Sequence, residues 1–154
     1  MSEGTWRQAF DLLCDEQIGY GMSRKVFSSK ILPDCVIKVE EAAGRFQNIV
    51  EWETWNRVKG TEHSRWFAAC RWISPNGAIL IMERTRPPAP GEFLDRMPAY
   101  LCDFKRTNYG MARAEGRHPG EPGKDWLVCH DYGTNLLFEN GMTKRMHKAE
   151  WWDA

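Results

Sequence analysis

The chain has 154 residues, 42% hydrophobic and 27% charged, enough apolar material for one globular domain or two small lobes. Its 21 basic and 21 acidic residues cancel to a formal net charge of zero, so bulk charge points to no nucleic-acid partner and no membrane surface. Cys14, Cys35, Cys70, Cys102 and Cys129 are odd in number and lack C-x-x-C spacing, which argues against a disulfide scaffold or a zinc site.

The N-terminus has no basic-then-apolar signal pattern and no run is long enough to cross a bilayer, so the expectation is a reduced, cytoplasmic protein. Residues 5–16 place Trp6, Ala9, Phe10, Leu13 and Cys14 at helical spacing and predict a short amphipathic helix packed on a sheet. In QIGYGMSRKVF (17–27), Gly19 and Gly21 flank one residue ahead of a β-prone segment. Such a G-x-G is either a plain hairpin turn or a loop whose backbone N–H groups must approach phosphate oxygens, where a Cβ would interfere.

A turn at 32–34 leads into the β-prone CVIKVE (35–40), with Lys38 inside an apolar strand. A lysine on the buried face needs a partner and on the exposed face needs none; the period does not decide between the two. Residues 45–59 read as a helix closed by Gly60, offering Glu51 and Glu53. Glu51, with Trp55 four on and Val58 seven on, shares their face; Glu53 lies on another. Residues 65–73 and 78–83 are two β-prone segments around the hairpin-type SPNG. The Pro-rich TRPPAPG (85–91) is the best lobe boundary.

Next, LCDFKRTNYGM (101–111) carries Asp103, Lys105 and Asn108. The Gly/Pro-rich residues 113–125 read as a long hairpin loop, and the apolar 126–129 run into His130, Asp131, Tyr132 and Gly133. Beyond these, 136–138 suggest a strand, 139–141 a turn and 142–152 a final helix. His63, His118, His130 and His147 show no metal-ligand spacing and are read as surface or structural.

Taken in order over 17–135, the G-x-G, strand lysine, helix glutamate, hinge, D-x-K-x-x-N and D-Y-G resemble the pattern of protein kinases and kinase-like phosphotransferases. The reduced form is similar to the compact kinase-like proteins of phages and prophages. The resemblance implies an α+β fold: an antiparallel-sheet N-lobe with one packed helix over residues 1–86, and a strongly truncated C-lobe over 87–154. It implies ATP and Mg²⁺ as cofactors. Gly19, Gly21, Val26, Lys38, Glu51 and Glu83 would bind the nucleotide, with Met82 gatekeeper-like. Asn108 and Asp131 would hold the metal, and Asp103 and Lys105 would act at the transferred phosphoryl group.

Three departures go with it. Arg24 stands where the third loop glycine belongs. Leu101-Cys102 replaces the H-R that usually tethers the catalytic loop, and the interval between Asn108 and Asp131 is long. Little chain follows D-Y-G to supply an activation segment, an A-P-E motif or a peptide-binding platform. The expectation is an ATP·Mg-dependent phosphotransferase acting on an unknown acceptor, such as a protein substrate. The alternative is a catalytically inactive, pseudokinase-type binding protein with a protein target, for example a phage-encoded inhibitor or decoy of a host system.

Overall fold

The structure is a computed structural model, described here for residues 2–20, 23–41, 46–113 and 123–153. The chain is α+β and divides into two compact units: Met1–Trp52 with Cys70–Arg84, and Glu53–Ala69 with Thr85–Ala154.

In the first unit, α1 (Glu3–Leu13) starts at Ser2, whose hydroxyl accepts the Thr5 N–H at 3.3 Å, satisfying one of the donors a helix start leaves open. Its Phe10 ring meets Phe27 edge-on at 5.9 Å. Five strands follow: β1 (Gln17–Tyr20), β2 (Arg24–Ser28), β3 (Cys35–Glu40), β4 (Cys70–Ile73) and β5 (Ile79–Glu83). They form one antiparallel sheet in the order β1-β2-β3-β5-β4. The β-branched run of β3 sits at the centre, where pairing on both sides favours it. Ile37, Leu80 and Met82 are fully buried. This sheet with one packed helix is the arrangement that the resemblance implied.

That helix is α2 (Gln47–Val58). No Ser, Thr or Asp caps its start; the Glu40 carboxylate, at the end of β3, accepts the Gln47 and Asn48 N–H groups at 2.9 and 3.2 Å. An anion there meets both the open donors and the positive end of the helix dipole. Asn48 ties the same turn to the sheet, its side-chain amide donating to the carbonyls of Gly77 at 2.9 Å and Lys38 at 3.2 Å. At the far end Gly60 takes the left-handed conformation expected of a helix stop, with φ +78°.

The second unit is built from short pieces around aromatic side chains. Phe67 stacks on Tyr100 at 5.8 Å and meets Tyr132 edge-on at 4.9 Å, and the Tyr132 hydroxyl donates to the Ala68 carbonyl at 2.7 Å. Two two-stranded sheets frame them: β6 (Arg96–Pro98) with β9 (Met146–Lys148), and β7 (Tyr109–Ala112) with β8 (Trp126–Cys129). A four-residue helix, α3 (Leu137–Asn140), lies between β8 and β9 in the chain.

Three expectations fail here. Residues 65–66 are not strand but the end of a 3-10 turn, Glu62–Trp66, because Thr61 caps it by accepting the His63 N–H at 3.2 Å. Residues 136–138 run into α3 rather than forming a strand, with the Asn135 side chain accepting the Leu137 N–H at 2.9 Å. The expected final helix over 142–152 is extended. Met146–Lys148 is claimed by pairing with Arg96–Pro98, and the Trp151 indole donates to the Leu94 carbonyl at 2.7 Å, a tertiary demand that overrides local spacing. The expected loop over 113–125 falls largely outside the described residues.

Because the α2 cap comes from a single side chain, Glu40→Ala should cost about 1 kcal/mol, within the range of roughly 0.5–2 kcal/mol for lost helix caps. Equilibrium urea unfolding checks this, with Glu41→Ala, one residue on and outside the cap, as the control expected to change little.

Candidate functional site

The strongest constellation in the first unit centres on Glu51, fully buried on α2. Its Oε1 lies 2.8 Å from the Lys38 ammonium and 2.6 Å from Arg24 Nη1, while Oε2 takes Arg24 Nη2 at 3.1 Å. Lys38 and Arg24 are 4% and 5% exposed, so three charged groups meet away from bulk water. Burial alone would raise the Glu51 pKa, but the Lys38 and Arg24 charges and their hydrogen bonds outweigh it and hold the carboxyl at about 2. Arg24 Nη1 also donates to Asn48 Oδ1 at 3.2 Å, so the residue that sets α2 on the sheet steadies the guanidinium as well.

Local register explains why these side chains converge. Lys38 pairs across the sheet with Val26, and Arg24 lies two residues before Val26 on the same strand. Residues two apart on a strand share a face, so Arg24, Val26 and Lys38 all present towards α2. Val26 is half-buried between the two cations in register. Gly19 pairs with Val26, and a Cβ there would sit 3.6 Å from that of Val26, an ordinary contact. Gly21 lies outside the described residues. Glu83 is the half-buried last residue of β5, opposite Cys35.

In the second unit Asp103 is exposed, Lys105 half-buried and Asn108 buried at the end of a 3-10 turn, Arg106–Asn108. Asp131 is exposed. Asn108 and Asp131 are joined through the backbone: the Asn108 carbonyl accepts the N–H of His130 at 2.9 Å and of Asp131 at 3.3 Å. His130 reinforces the join. Its Nε2 meets the Thr107 carbonyl at 2.7 Å, which makes that nitrogen the donor, and Nδ1 meets the Thr85 hydroxyl at 2.8 Å. Gly110 is required here, since a Cβ on it would lie 2.9 Å from His130 Nδ1 and overlap Thr85 Oγ1.

The loop over 101–108 is braced from the C-terminal segment. Trp152 donates its N–H to the Phe104 carbonyl at 3.1 Å and accepts the Arg106 N–H at 2.9 Å. The Lys105 ammonium lies 5.8 Å from the Trp152 ring centroid, Arg106 Nη1 pairs with Asp153 at 2.9 Å, and His147 Nε2 donates to the Leu101 carbonyl at 3.0 Å. Sequence reasoning missed both Arg24 and this C-terminal brace. Arg24 could have been found from its period-2 relation to Val26; the brace has no signal in the local sequence.

Among the described residues no group of three or more His, Cys, Asp or Glu is placed to hold a metal. Asn108 and Asp131 are linked by a backbone hydrogen bond, and their side chains carry an amide and a carboxylate oxygen, hard donors of the kind Mg²⁺ takes when phosphates complete its shell. Among the described residues no helix is long and apolar enough to cross a membrane.

No protein-family model matches the chain, and no curated protein matches it. Among solved structures it is similar to the aminoglycoside phosphotransferase APH(2″)-IIa in its gentamicin complex, with TM-score 0.44 and 15% identity over 58% of this chain and 30% of that one. The same enzyme in its ternary complex with streptomycin and ATP gives TM-score 0.42 and 15% identity, over 57% of this chain and 30% of that one. The chain therefore matches less than a third of the length of these structures.

Two outcomes are expected. Glu51 is held below its ordinary value near 4.5, so the stability it contributes is present above that pH and is lost as pH falls towards about 2. The loss over that window is about 3 kcal/mol for such a shift. Urea midpoints between pH 5 and pH 2.5 should show an acid-dependent fall that Glu51→Gln, already less stable, largely lacks. Separately, Gly110→Ala should destabilise by roughly 1–3 kcal/mol through overpacking against Thr85 and His130, and Thr85→Ser should recover little of it, because the overlap is with the hydroxyl oxygen.

Proposed function

We propose that the chain is an ATP·Mg²⁺-dependent phosphotransferase of kinase-like type. The observation that carries the reading is the buried Lys38–Glu51 ion pair, 2.8 Å long, between the central strand of the sheet and its packed helix. A buried ammonium held by a carboxylate at a fixed point is preorganised to meet phosphate oxygens without rearrangement. In this reading Lys38, positioned by Glu51, takes the nucleotide phosphates, Gly19 and Gly21 bring backbone N–H groups to them, and Val26 and Glu83 contact the adenine end. Asn108 and Asp131 hold Mg²⁺, which when bound neutralises charge on the phosphates. Asp103, exposed on its braced loop, accepts or orients the acceptor hydroxyl proton, and Lys105 faces the moving phosphoryl group.

A second reading, a catalytically inactive binding protein, draws on Arg24. Where the family pattern has a glycine that lets the backbone reach phosphate, this chain has a long cation that shares Glu51 with Lys38. A protein target rather than a chemical acceptor then accounts for the scaffold.

The test has two layers. ATP·Mg²⁺ should raise the melting temperature of the parent, by the equivalent of about 2.7 kcal/mol at a hundredfold excess over Kd, and Lys38→Ala and Asp131→Ala should each reduce the shift. Asp103→Asn should keep the shift while labelled-phosphate transfer falls by roughly 10²–10⁴. No shift for the parent at millimolar nucleotide would overturn nucleotide binding; a shift with no transfer by the parent would favour the inactive binder.

A further inference from the structure

Arg65, at the end of the Glu62–Trp66 turn, is held between two indoles. Its guanidinium carbon lies 4.7 Å from the Trp66 ring centroid and 4.1 Å from that of Trp126. Its Nε is buried without a hydrogen-bond partner. The side chain as a whole is half-buried. Among the described residues no carboxylate pairs with Arg65: the acid near it in the chain, Glu62, lies 3.6 Å from Lys144 and 3.9 Å from His63. A second cation, the Lys124 ammonium, stands 5.9 Å from the Trp126 centroid.

Guanidinium is weakly hydrated and stacks well on aromatic faces, so two rings fix its plane at small solvation cost. A fork fixed in this way is matched to a planar carboxylate, which can take two N–H groups at once. Tryptophan and arginine are the residues that dominate binding energy at protein interfaces, and here two tryptophans and an arginine are prepaid in rotamer entropy. The ligand chemistry follows from charge. A nucleic acid would need several neighbouring cations, whereas the one described beside this clamp is Lys124.

We propose that Arg65, clamped by Trp66 and Trp126, is a docking point for an aspartate or glutamate side chain of a protein partner. The proposal is independent of the nucleotide reading, because it names a different set of residues and a different ligand class.

The probe is a dye-labelled ten-residue oligoglutamate, titrated by fluorescence anisotropy at low salt against the full chain, with inorganic polyphosphate as competitor. The parent should bind saturably. Arg65→Gln should weaken binding at least about tenfold, in line with loss of a charge-assisted pair, in a chain shown folded by circular dichroism. Arg65→Lys keeps the charge but not the fork and should also weaken it, which preserves the test should Arg65→Gln fail to fold. Arg145→Gln, an exposed arginine elsewhere in the unit, makes the same charge change and should leave affinity as it is. The proposal is overturned by absence of saturable binding, by equal losses in Arg65→Gln and Arg145→Gln, by an unimpaired Arg65→Lys, or by polyphosphate binding more tightly than oligoglutamate.

Discussion

A carboxylate that is fully buried and still ionised organises the first unit. Taking Glu51 out of water is expensive, and the expense is offset only because Lys38 and Arg24 meet it at hydrogen-bond distance from two adjacent strands. That requirement fixes several things at once. It fixes the register of β2 on β3, since a slip of one residue would put Arg24 on the opposite face from Lys38. It fixes the rotation of α2, since Glu51 has to point inward. Asn48, one turn earlier on the helix, bonds both Arg24 and the Lys38 backbone, so helix and strands are locked through the same few atoms. Removing Glu51 leaves two buried cations without their shared partner, which makes the group a specifier of geometry more than a source of net stability.

The second unit solves a different problem. Its candidate residues lie on loops, and loops hold a geometry only when something braces them. Here the braces are backbone hydrogen bonds: the Asn108 carbonyl gathers the amides of His130 and Asp131, and Trp152 straddles the loop by pairing with Phe104 and Arg106. His130, with both ring nitrogens engaged, and Gly110, which makes room for it, complete the arrangement. Asp103 is left exposed on a loop whose ends are fixed.

Much of the first unit was legible in the sequence. The CVIKVE run, the turn at 74–77 and the helix closed by Gly60 each carry local chemistry that agrees with the fold, and all three stand where expected. Lys38 and Glu51 were legible as a pair only through order and spacing, because neither residue alone says which face it occupies. Arg24 was readable as a missing glycine and not as a partner of Glu51, since its role appears only when β2 is laid beside β3. The C-terminal segment was the least legible. MTKRMHKAEWW has enough helical spacing to suggest a helix, yet it is extended because β6 offers a strand edge and the ring cluster of Phe104, Tyr109 and Trp151 needs that indole. Long-range pairing of this kind leaves no trace in a local window.

The proposed function depends most heavily on Glu51 acting on nucleotide through Lys38. A double-mutant cycle on ATP·Mg²⁺ affinity, read by titration calorimetry on variants shown folded by circular dichroism, tests that link directly. Lys38→Met and Glu51→Gln should each weaken binding, and the double variant should bind no worse than Lys38→Met alone, a coupling that independent residues do not show. Parent-like affinity in Lys38→Met, or losses that simply add in the double variant, would contradict it.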